Sequence, residues 1–514
     1  MAVLRGLRCG VRSGEAWRGS LTRAKRPAVA AAALWALAYV IVWTSGQRFS
    51  TAYLDYGWQM LPYDTLRADP LGSVWYLHIQ PPLWNLTIGC IGRWSPFPTA
   101  ISLQLLMFVF GLVLVGLVTS LLGRLRLRPR AAVIVSLVAT LNPTVIKMAF
   151  EPQYELAVAC GLVALVWAIA GRAEAANAKR YTQAALIGTA IVMTRSLYPP
   201  EWLVVLLAGL AWVYRGSVPW RRVIGALAVP VIAIGGWMLK NEILFGTATM
   251  SSWSGMNFER AVVPAVPQAE LRRLVEAGKI SEVALIGPFQ AYDEYRPYVA
   301  SCTPSHHHPA VDTPLRTRPV TSIFDGATSY VANFNYECYL PIYDRAGADA
   351  WYVTLHYPRA WLEGRLWSAR AWFGAGLAQG ASSSAPLRWL DDLYGVARVD
   401  VALPQVSMRG WGTTAAFEPI ARARTSIALV VLTAVVIAVG LGHSWRIIRR
   451  RGSDLARSGA LSAVGLVAGW SFAVGIVGEL GEQARFRTMT DPLVVAVGLA
   501  SIVRWFGDRR DRAA

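Results

Sequence analysis

The side chains best suited to chemistry are concentrated between residues 53 and 85, directly after the first apolar segment. Asp55 and Tyr56 lie near the start of this stretch, and His78 and Gln80 precede a Pro-Pro pair near its end. A carboxylate beside a membrane is costly unless it has a partner or lines a wet cavity. Asp55 is therefore either a solvated loop residue or part of a polar site, and the mixture of residue types indicates a reaction at a membrane surface.

The composition decides the class of protein that holds this stretch. Of 514 residues, 54% are hydrophobic and only 16% are charged, and the mean hydropathy is +0.38. These values predict a multi-span membrane protein. The net charge of +19 arises mostly from short Lys and Arg clusters between apolar segments, a pattern typical of cytoplasmic loops rather than of nucleic-acid binding. Five cysteines without a CxxC spacing argue against a zinc or thioredoxin-like site.

The basic clusters fix an expected topology. Residues 1–27 are basic and predicted to be cytoplasmic, and the apolar run after them lacks an obvious cleavage site, which predicts an uncleaved first helix. About ten spans then place every basic short loop inside, and both termini in the cytoplasm. The expected spans are 28–44, 101–122, 131–150, 156–170, 184–194, 202–214, 223–239, 425–441, 461–477 and 492–503.

The expected fold class is an all-α polytopic membrane bundle of about ten helices. Residues 28–244 form the bundle, with a catalytic first outer loop at 47–100, and residues 422–514 form the last three helices and a cytoplasmic tail. Between them, residues 245–421 contain no apolar run long enough to span. This region is predicted to be an extracytoplasmic domain, mixed or mainly α.

With this topology, ionisable residues far apart in the sequence all fall on the outer face and near helix ends. They are Asp55, His78, Glu151, Glu155, Arg195, Lys240 and Arg485. The shared face predicts one cleft between the bundle and the outside domain.

Basic residues on the expected outer face are exceptions to the positive-inside rule, so each needs an anionic partner. They are Arg195, Lys240, Arg485 and Arg487. Either they pair with nearby glutamates or they bind an anion at headgroup depth, because arginine suits bidentate phosphate recognition and lysine acts as a point charge. A membrane-embedded phosphate beside a carboxylate indicates a lipid-phosphate donor. Asp55 would then be a general base, assisted by Glu151 or Glu155, and the cations would stabilise the departing lipid phosphate.

The order of these residues resembles the GT-C fold membrane glycosyltransferases, and the likeness is closest to the branch with protein O-mannosyltransferases and lipid A aminoarabinose transferases. Members carry an acidic residue after the first helix and then a His-Pro-Pro-Leu or Lys-Pro-Pro-Leu motif, similar to Asp55 and 78–83 here. The stretch around Arg195 looks like the family's arginine-containing helix end, and 482–487 is similar to its late Glu-x-x-Arg-Phe element. The motifs are short and cover roughly the first 245 and last 95 residues.

The resemblance implies a polyprenyl-phosphate sugar donor, catalysis on the outer side of the plasma membrane, and inversion at the sugar carbon. Two positions depart from the mannosyltransferase pattern. Tyr56 stands where the second acidic residue would be, and Gln80 takes the histidine place, with His78 two residues earlier. The sugar, a divalent metal, and the acceptor, which is a cell-wall glycan, a lipid or a protein, stay open.

The residues expected to contact substrate share positions near this cleft. They are His78, Gln80, Tyr56, Trp253, Asn257 and Glu482. Trp253 either stacks on a sugar or anchors the chain at the interface. His78 is either a metal ligand with Asp55 or a hydrogen-bonded structural residue.

Three features of the outside domain keep two interpretations each. Residues 333–337 either contact the acceptor or form a turn. The three histidines at 306–308 are either a metal patch or part of a proline-bounded loop. Cys302 and Cys338 are its only cysteines, and an oxidising compartment permits but does not require a disulfide.

Two other function classes compete with the transferase. A transporter or lipid flippase would use the same charges along a permeation path and predicts polar residues at mid-bilayer depth and repeated halves, neither of which is visible in the sequence. A non-catalytic membrane scaffold would bind a partner through the outside domain and would tolerate the loss of Asp55.

Overall fold

The chain is mainly helical. The computed structural model describes residues 26–171, 177–321, 328–374, 385–401, 424–449, 455–478, 480 and 483–513. The first half contains α1 (Arg26–Thr44), α2 (Tyr53–Tyr56), α3 (Tyr63–Ala68), α4 (Pro70–Trp75), α5 (Pro82–Trp94), α6 (Thr99–Arg124), α7 (Pro129–Thr140), α8 (Pro143–Met148), α9 (Glu155–Ile169), α10 (Asn177–Val192), α11 (Pro200–Val213), α12 (Trp220–Pro230) and α13 (Gly236–Phe245).

The second half begins with short helices and ends with long ones. Its helices are α14 (Ser254–Val262), α15 (Gln268–Glu276), α16 (Val283–Ile286), α17 (Tyr292–Tyr295), α18 (Leu340–His356), α19 (Pro358–Trp372), α20 (Ala385–Arg398), α21 (Ile427–Ile448), α22 (Leu455–Val477), α23 (Gln483–Thr488) and α24 (Asp491–Ala513). Among the described residues, five helical stretches are long and apolar enough to cross a membrane: Arg26–Thr44, Thr99–Arg124, Trp220–Phe245, Ile427–Ile448 and Leu455–Val477. The coarse prediction of a helical chain with several membrane-crossing segments is therefore confirmed.

Proline starts several of these helices. Pro82, Pro129, Pro143 and Pro200 each lie in the first turn of their helix. Proline has no N–H to leave unpaired there, and its ring presets the helical φ angle.

The stretch Trp220–Phe245 is interrupted in its middle. Pro230 ends α12, residues Val231–Gly235 form a π-helical segment, and α13 follows without a break. Proline removes one hydrogen bond of the helical ladder, and a π segment is one way in which a helix absorbs that defect.

Two of the apolar helices, α21 and α22, approach each other closely at glycine. A Cβ atom added to Gly440 would lie 2.5 Å from the Cα atom of Gly465. Small residues at such a crossing let two backbones meet without a side chain between them, as is common in membrane bundles.

The region between α13 and α21, called here the inserted segment, packs onto the bundle. Its apolar residues divide into two groups. Those around Ala261, Leu271 and Val353 form a small separate core. Phe289 and Tyr339 instead join the core of the bundle.

Two small antiparallel sheets and a disulfide complete the inserted segment. Strand β1 (Leu315–Thr321) pairs with β2 (Thr328–Ala332), and β3 (Asp400–Val401) pairs with β4 (Thr425–Ser426). Cys302 and Cys338 form a disulfide, with their Cα atoms 5.7 Å apart, so the oxidised alternative is the one realised. The β1–β2 hairpin lies within the loop that this bond closes.

Candidate functional site

A cavity of about 400 Å³ lies between the helix ends and the inserted segment. Separate stretches of the chain line it, among them Gln59 after α2, Arg195 after α10, Asn257 in α14 and Val474 in α22. Met238 of α13 adds an apolar wall. The cavity therefore depends on contacts between parts of the chain that are far apart in sequence.

Arg195 is the unusual charge of this cavity. Its side chain is buried, with 4% of the residue exposed, and its Cζ atom lies 4.8 Å from the ring centre of Tyr154 and 4.6 Å from that of Phe486. Its Nε has no hydrogen-bond partner, and no carboxylate of the described chain pairs with it. A buried cation is stable only with compensation, and within the described chain that compensation comes from two aromatic rings and not from a carboxylate.

Arg485 also lies beside the Tyr154 ring, with its Cζ atom 5.2 Å from the ring centre, but it is already paired. It forms an ion pair with Glu155, and one Nη donates to the hydroxyls of Tyr53 and Tyr154 at 2.9 Å each. Glu155 is 1% exposed. Glu155, Arg195 and Arg485, three residues predicted from distant parts of the sequence, thus meet around one tyrosine.

Glu151 belongs to the same cluster. Its carboxylate lies 4.0 Å from Lys147 Nζ and accepts a 2.5 Å hydrogen bond from Gln153. Burial is the main cause that raises the pKa of Glu151, and it also raises the pKa of the half-buried Tyr56 nearby. With Lys147, Arg195 and Arg485, the described part of the cluster brings three basic side chains together with the carboxyl groups of Glu151 and Glu155.

Asp55 does not line this cavity. Its carboxylate lies 3.9 Å from Arg318, which binds Asp64 more closely, at 2.6 and 2.8 Å. Burial raises the pKa of Asp55, and the neighbouring Arg318 lowers it in part. The side chain borders a smaller pocket with Arg316 and Arg318 of β1, while Tyr53 of the same helix reaches Arg485. Helix α2 therefore separates the small pocket from the charged cluster.

Arg316 binds the C-terminal end of α2. Its guanidinium donates to the carbonyls of Asp55 at 3.1 Å and of Gly57 at 2.6 Å, and to that of Met60. These acceptors are the carbonyl groups at and after the end of a four-residue helix, which otherwise have no partner. The β1–β2 hairpin is thereby attached to the segment that contains α2.

Two residues of the predicted phosphate-binding set have structural contacts instead of a place in the cavity. Lys240 Nζ donates to the carbonyl of Leu77 at 2.7 Å and lies 3.8 Å from the Trp237 ring centre. Arg487 pairs with Asp491 at 3.1 Å and donates to two backbone carbonyls of the inserted segment. Both cations already have their partners.

His78 joins the segment between α1 and α6 to the inserted segment. Its Nδ1 lies 2.7 Å from Ser252 Oγ, and its Nε2 lies 2.9 Å from the Asn335 carbonyl oxygen. The backbone N–H of His78 donates to Asn335 Oδ1 at 2.9 Å. Complete burial lowers the pKa of His78 to about 3. The hydrogen bonds of His78 with Ser252 and Asn335 favour a structural role for this histidine over a role as a metal ligand.

No group of three or more His, Cys, Asp or Glu side chains within the described residues is arranged to hold a metal ion. His306 instead lies 3.2 Å from Glu337, and His308 stacks on Tyr76 with ring centres 5.0 Å apart. These histidines pack the disulfide-closed loop against Tyr76, which follows α4.

The remaining predicted contact residues lie close to Arg195. Gln80 accepts a hydrogen bond of 3.4 Å from Ser196, and Trp253 and Asn257 line the cavity. Glu482 lies outside the described residues, as does most of the basic segment 1–27.

The sequence did not point to Phe289, which closes an aromatic wall of the cavity. Its ring stacks on Trp58 at 5.2 Å and meets Trp253 edge-on at 5.4 Å. Its φ angle is +59°, which is rare for a bulky residue. The preceding Gly-Pro pair was the available signal for an unusual turn.

Comparison with known proteins gives distant structural likenesses. No protein-family model matches the sequence, and no curated protein matches it. Two crystal structures of ArnT from Cupriavidus metallidurans are similar to the chain, one in the apo state at 14% identity and one bound to undecaprenyl phosphate at 12% identity. The alignments cover 87% and 88% of this chain, respectively, and 77% of the ArnT chain in both cases. Each has a TM-score of 0.32.

Both likenesses fall in the aminoarabinose-transferase branch that the sequence motifs resemble. At a TM-score of 0.32, however, they assign neither an activity nor a detailed fold to this chain.

Proposed function

We propose that this chain is a membrane glycosyltransferase of the GT-C type, which transfers a sugar from a polyprenyl-phosphate donor to a cell-wall glycan, a lipid or a protein. In this proposal about ten helices cross the plasma membrane, both termini are cytoplasmic, and the cavity opens on the extracytoplasmic side. The observation that carries it is Arg195, a buried guanidinium without a described carboxylate partner at the wall of the cavity.

A phosphate is the anion that this environment favours. Guanidinium presents N–H donors in a planar fork that matches phosphate oxygens, and burial strengthens the interaction because water competes less. The Tyr154 and Phe486 rings both lie within 4.8 Å of the guanidinium carbon and stabilise its position by cation–π contacts. The phosphate would be held without a flexible side chain having to be ordered first.

The other walls suit the two ends of a lipid-linked sugar. Met238 and Val474 belong to helices at the membrane boundary and offer apolar surface to a prenyl chain. Trp58 and Trp253 offer aromatic surface, and Asn257 offers an amide, which are groups that commonly contact sugar rings and hydroxyls.

The proposed transfer step uses these positions. An acceptor hydroxyl loses its proton to a carboxylate as its oxygen forms a bond to the anomeric carbon, and the bond from that carbon to the phosphate oxygen breaks. The electron pair leaves with the lipid phosphate, whose charge Arg195 stabilises. Arg485 and Glu155 act as positioning residues, because Arg485 donates to the tyrosine on which Arg195 rests and Glu155 pairs with Arg485.

Two carboxylates are candidates for the base. Asp55, the residue expected from the sequence, borders the small pocket on the far side of α2, so an acceptor would have to approach from there. Glu201, at the start of α11, is the acidic residue among the described lining of the cavity. Loss of transfer with intact donor binding in Asp55→Asn, in Glu201→Gln, or in both assigns the role.

Donor binding tests the proposal directly. Purified protein in nanodiscs would be offered radiolabelled polyprenyl phosphate without a sugar, with Arg195→Gln compared against Arg272→Gln, an exposed arginine of α15. We expect only the first variant to lose binding. Binding followed by sugar transfer to an added acceptor supports the transferase. Movement of the labelled lipid across a vesicle without transfer would instead support a flippase, and the absence of lipid binding would support a scaffold.

A further inference from the structure

Helix α20, in the inserted segment, carries an exposed apolar stripe. Trp389, Leu393 and Val396 are 65%, 51% and 80% exposed, and their spacing places them on one face of the helix. The opposite face is packed, with Leu387 fully buried and Arg398 largely buried. Such a stripe is costly in water.

The helix is fixed beside apolar helices at both its middle and its end. The Tyr394 hydroxyl donates to the carbonyl of Val138 in α7 at 2.8 Å. After the helix, the β3–β4 pair joins Asp400 to Ser426, and Ile427 N–H donates to the Val399 carbonyl at 3.4 Å. The C-terminal end of α20 is therefore held at the first residue of α21, which is long and apolar enough to cross a membrane.

The neighbouring helices α7 and α21 also expose apolar side chains, as the stripe on α20 does. On α7, Ile134 and Val138 are 62% and 41% exposed, and on α21, Ile427 and Val431 are 42% and 47% exposed. On α21, which is long and apolar enough to cross a membrane, exposed apolar side chains face acyl chains, and the shorter apolar helix α7 carries the same kind of surface. Helix α20 has the same kind of surface and is fixed at the ends of α7 and α21. Its stripe therefore meets the same acyl chains.

We infer that α20 is an interfacial helix whose stripe lies in the acyl region of the adjacent leaflet, so its partner is the lipid surface. The residue types agree, since tryptophan favours the membrane interface. By helical spacing, the exposed Asp392 borders the stripe and would reach the headgroups. The inserted segment is then attached to the membrane along its own length as well as through the spans on either side.

Spin-label accessibility tests this inference on the whole protein. A nitroxide at Val396→Cys would be compared with one at Arg272→Cys on α15, in a chain without its free cysteines, reconstituted into vesicles of phosphatidylcholine with phosphatidylglycerol. We expect the label at 396 to collide more with oxygen, which concentrates in lipid, and less with a water-soluble nickel complex than the label at 272. Val396 is 80% exposed, so the substitution leaves packing intact, which an unchanged thermal unfolding curve would verify.

Two results would overturn the inference. Equal nickel accessibility at both positions would put the stripe in water. Loss of collisions with both reagents, together with dipolar broadening between labels, would show that a second copy of the chain covers the stripe instead of lipid.

Discussion

Replacing Arg195 with methionine should separate ligand binding from stability. The substitution removes the guanidinium while keeping a long apolar side chain between the Tyr154 and Phe486 rings. Hydrogen bonds to charged groups contribute roughly 1.5–3 kcal/mol. Since each 1.4 kcal/mol is tenfold in affinity, polyprenyl phosphate should bind about 10- to 150-fold more weakly.

Stability should respond differently. Loss of the two ring contacts costs roughly 0.5–2 kcal/mol each, but removal of a buried charge without a carboxylate partner offsets that loss. Arg487→Met is the matched control, because it removes an arginine that is equally buried but paired. It leaves Asp491, 1% exposed, without its cation, and breaking such a pair costs roughly 3–5 kcal/mol.

The assay is thermal unfolding in detergent together with equilibrium binding of labelled polyprenyl phosphate. We expect Arg195→Met to unfold near the parent temperature and bind poorly, and Arg487→Met to unfold at a clearly lower temperature. The reasoning is refuted if Arg195→Met binds as the parent does. It is also refuted if Arg195→Met destabilises as much as Arg487→Met, since Arg195 would then be a structural residue.

Three further predictions concern other parts of the chain. Burial lowers the pKa of His78 to about 3, so its contribution to stability is complete above the ordinary histidine pKa and is lost as pH falls towards 3; His78→Gln should flatten this acid dependence of the unfolding temperature. Glu259 is fully buried, both its carboxylate oxygens lack partners, and burial raises its pKa. Its contribution is therefore present at low pH and lost as pH rises through the raised value, so Glu259→Gln should raise the unfolding temperature at neutral pH, and an unchanged or lower temperature would contradict this. Replacing Cys302 and Cys338 by serine should destabilise the protein by about 2–4 kcal/mol, as measured with and without reductant; equal loss in the parent and the variant on reduction would be inconsistent with a disulfide effect.

The sequence predicted the parts of this protein that depend on local rules. Apolar runs between basic clusters marked the helices, since both features act over short stretches of chain. Arg195, Arg485 and Glu155 stood out for a related reason, because charges at the ends of apolar segments need compensation. Their meeting around Tyr154 follows from packing, which the pattern of residues does not specify.

What the sequence could not supply was the choice of partner. Lys240 and Arg487, like Arg195, are basic residues near the ends of apolar segments. Their hydrogen-bonding groups, however, are paired with backbone carbonyls and, for Arg487, with Asp491. Asp55 was expected at the main site, whereas Arg318, far along the chain, holds it at the smaller pocket. Residue type predicts that a charge needs a partner, but only the folded chain determines which group provides it.

The π-helical segment after Pro230 has a consequence for Lys240 and Met238, which follow it. A π turn holds one residue more than an α turn, so the half of the helix beyond it is rotated relative to an uninterrupted helix. Deleting Ile232 would restore the regular spacing and turn that half by about 100°, the angle per residue of an α-helix. Met238 would then leave the cavity wall and Lys240 would leave the Leu77 carbonyl, so the count of residues in this helix, and not only their identity, sets which side chains reach the cavity.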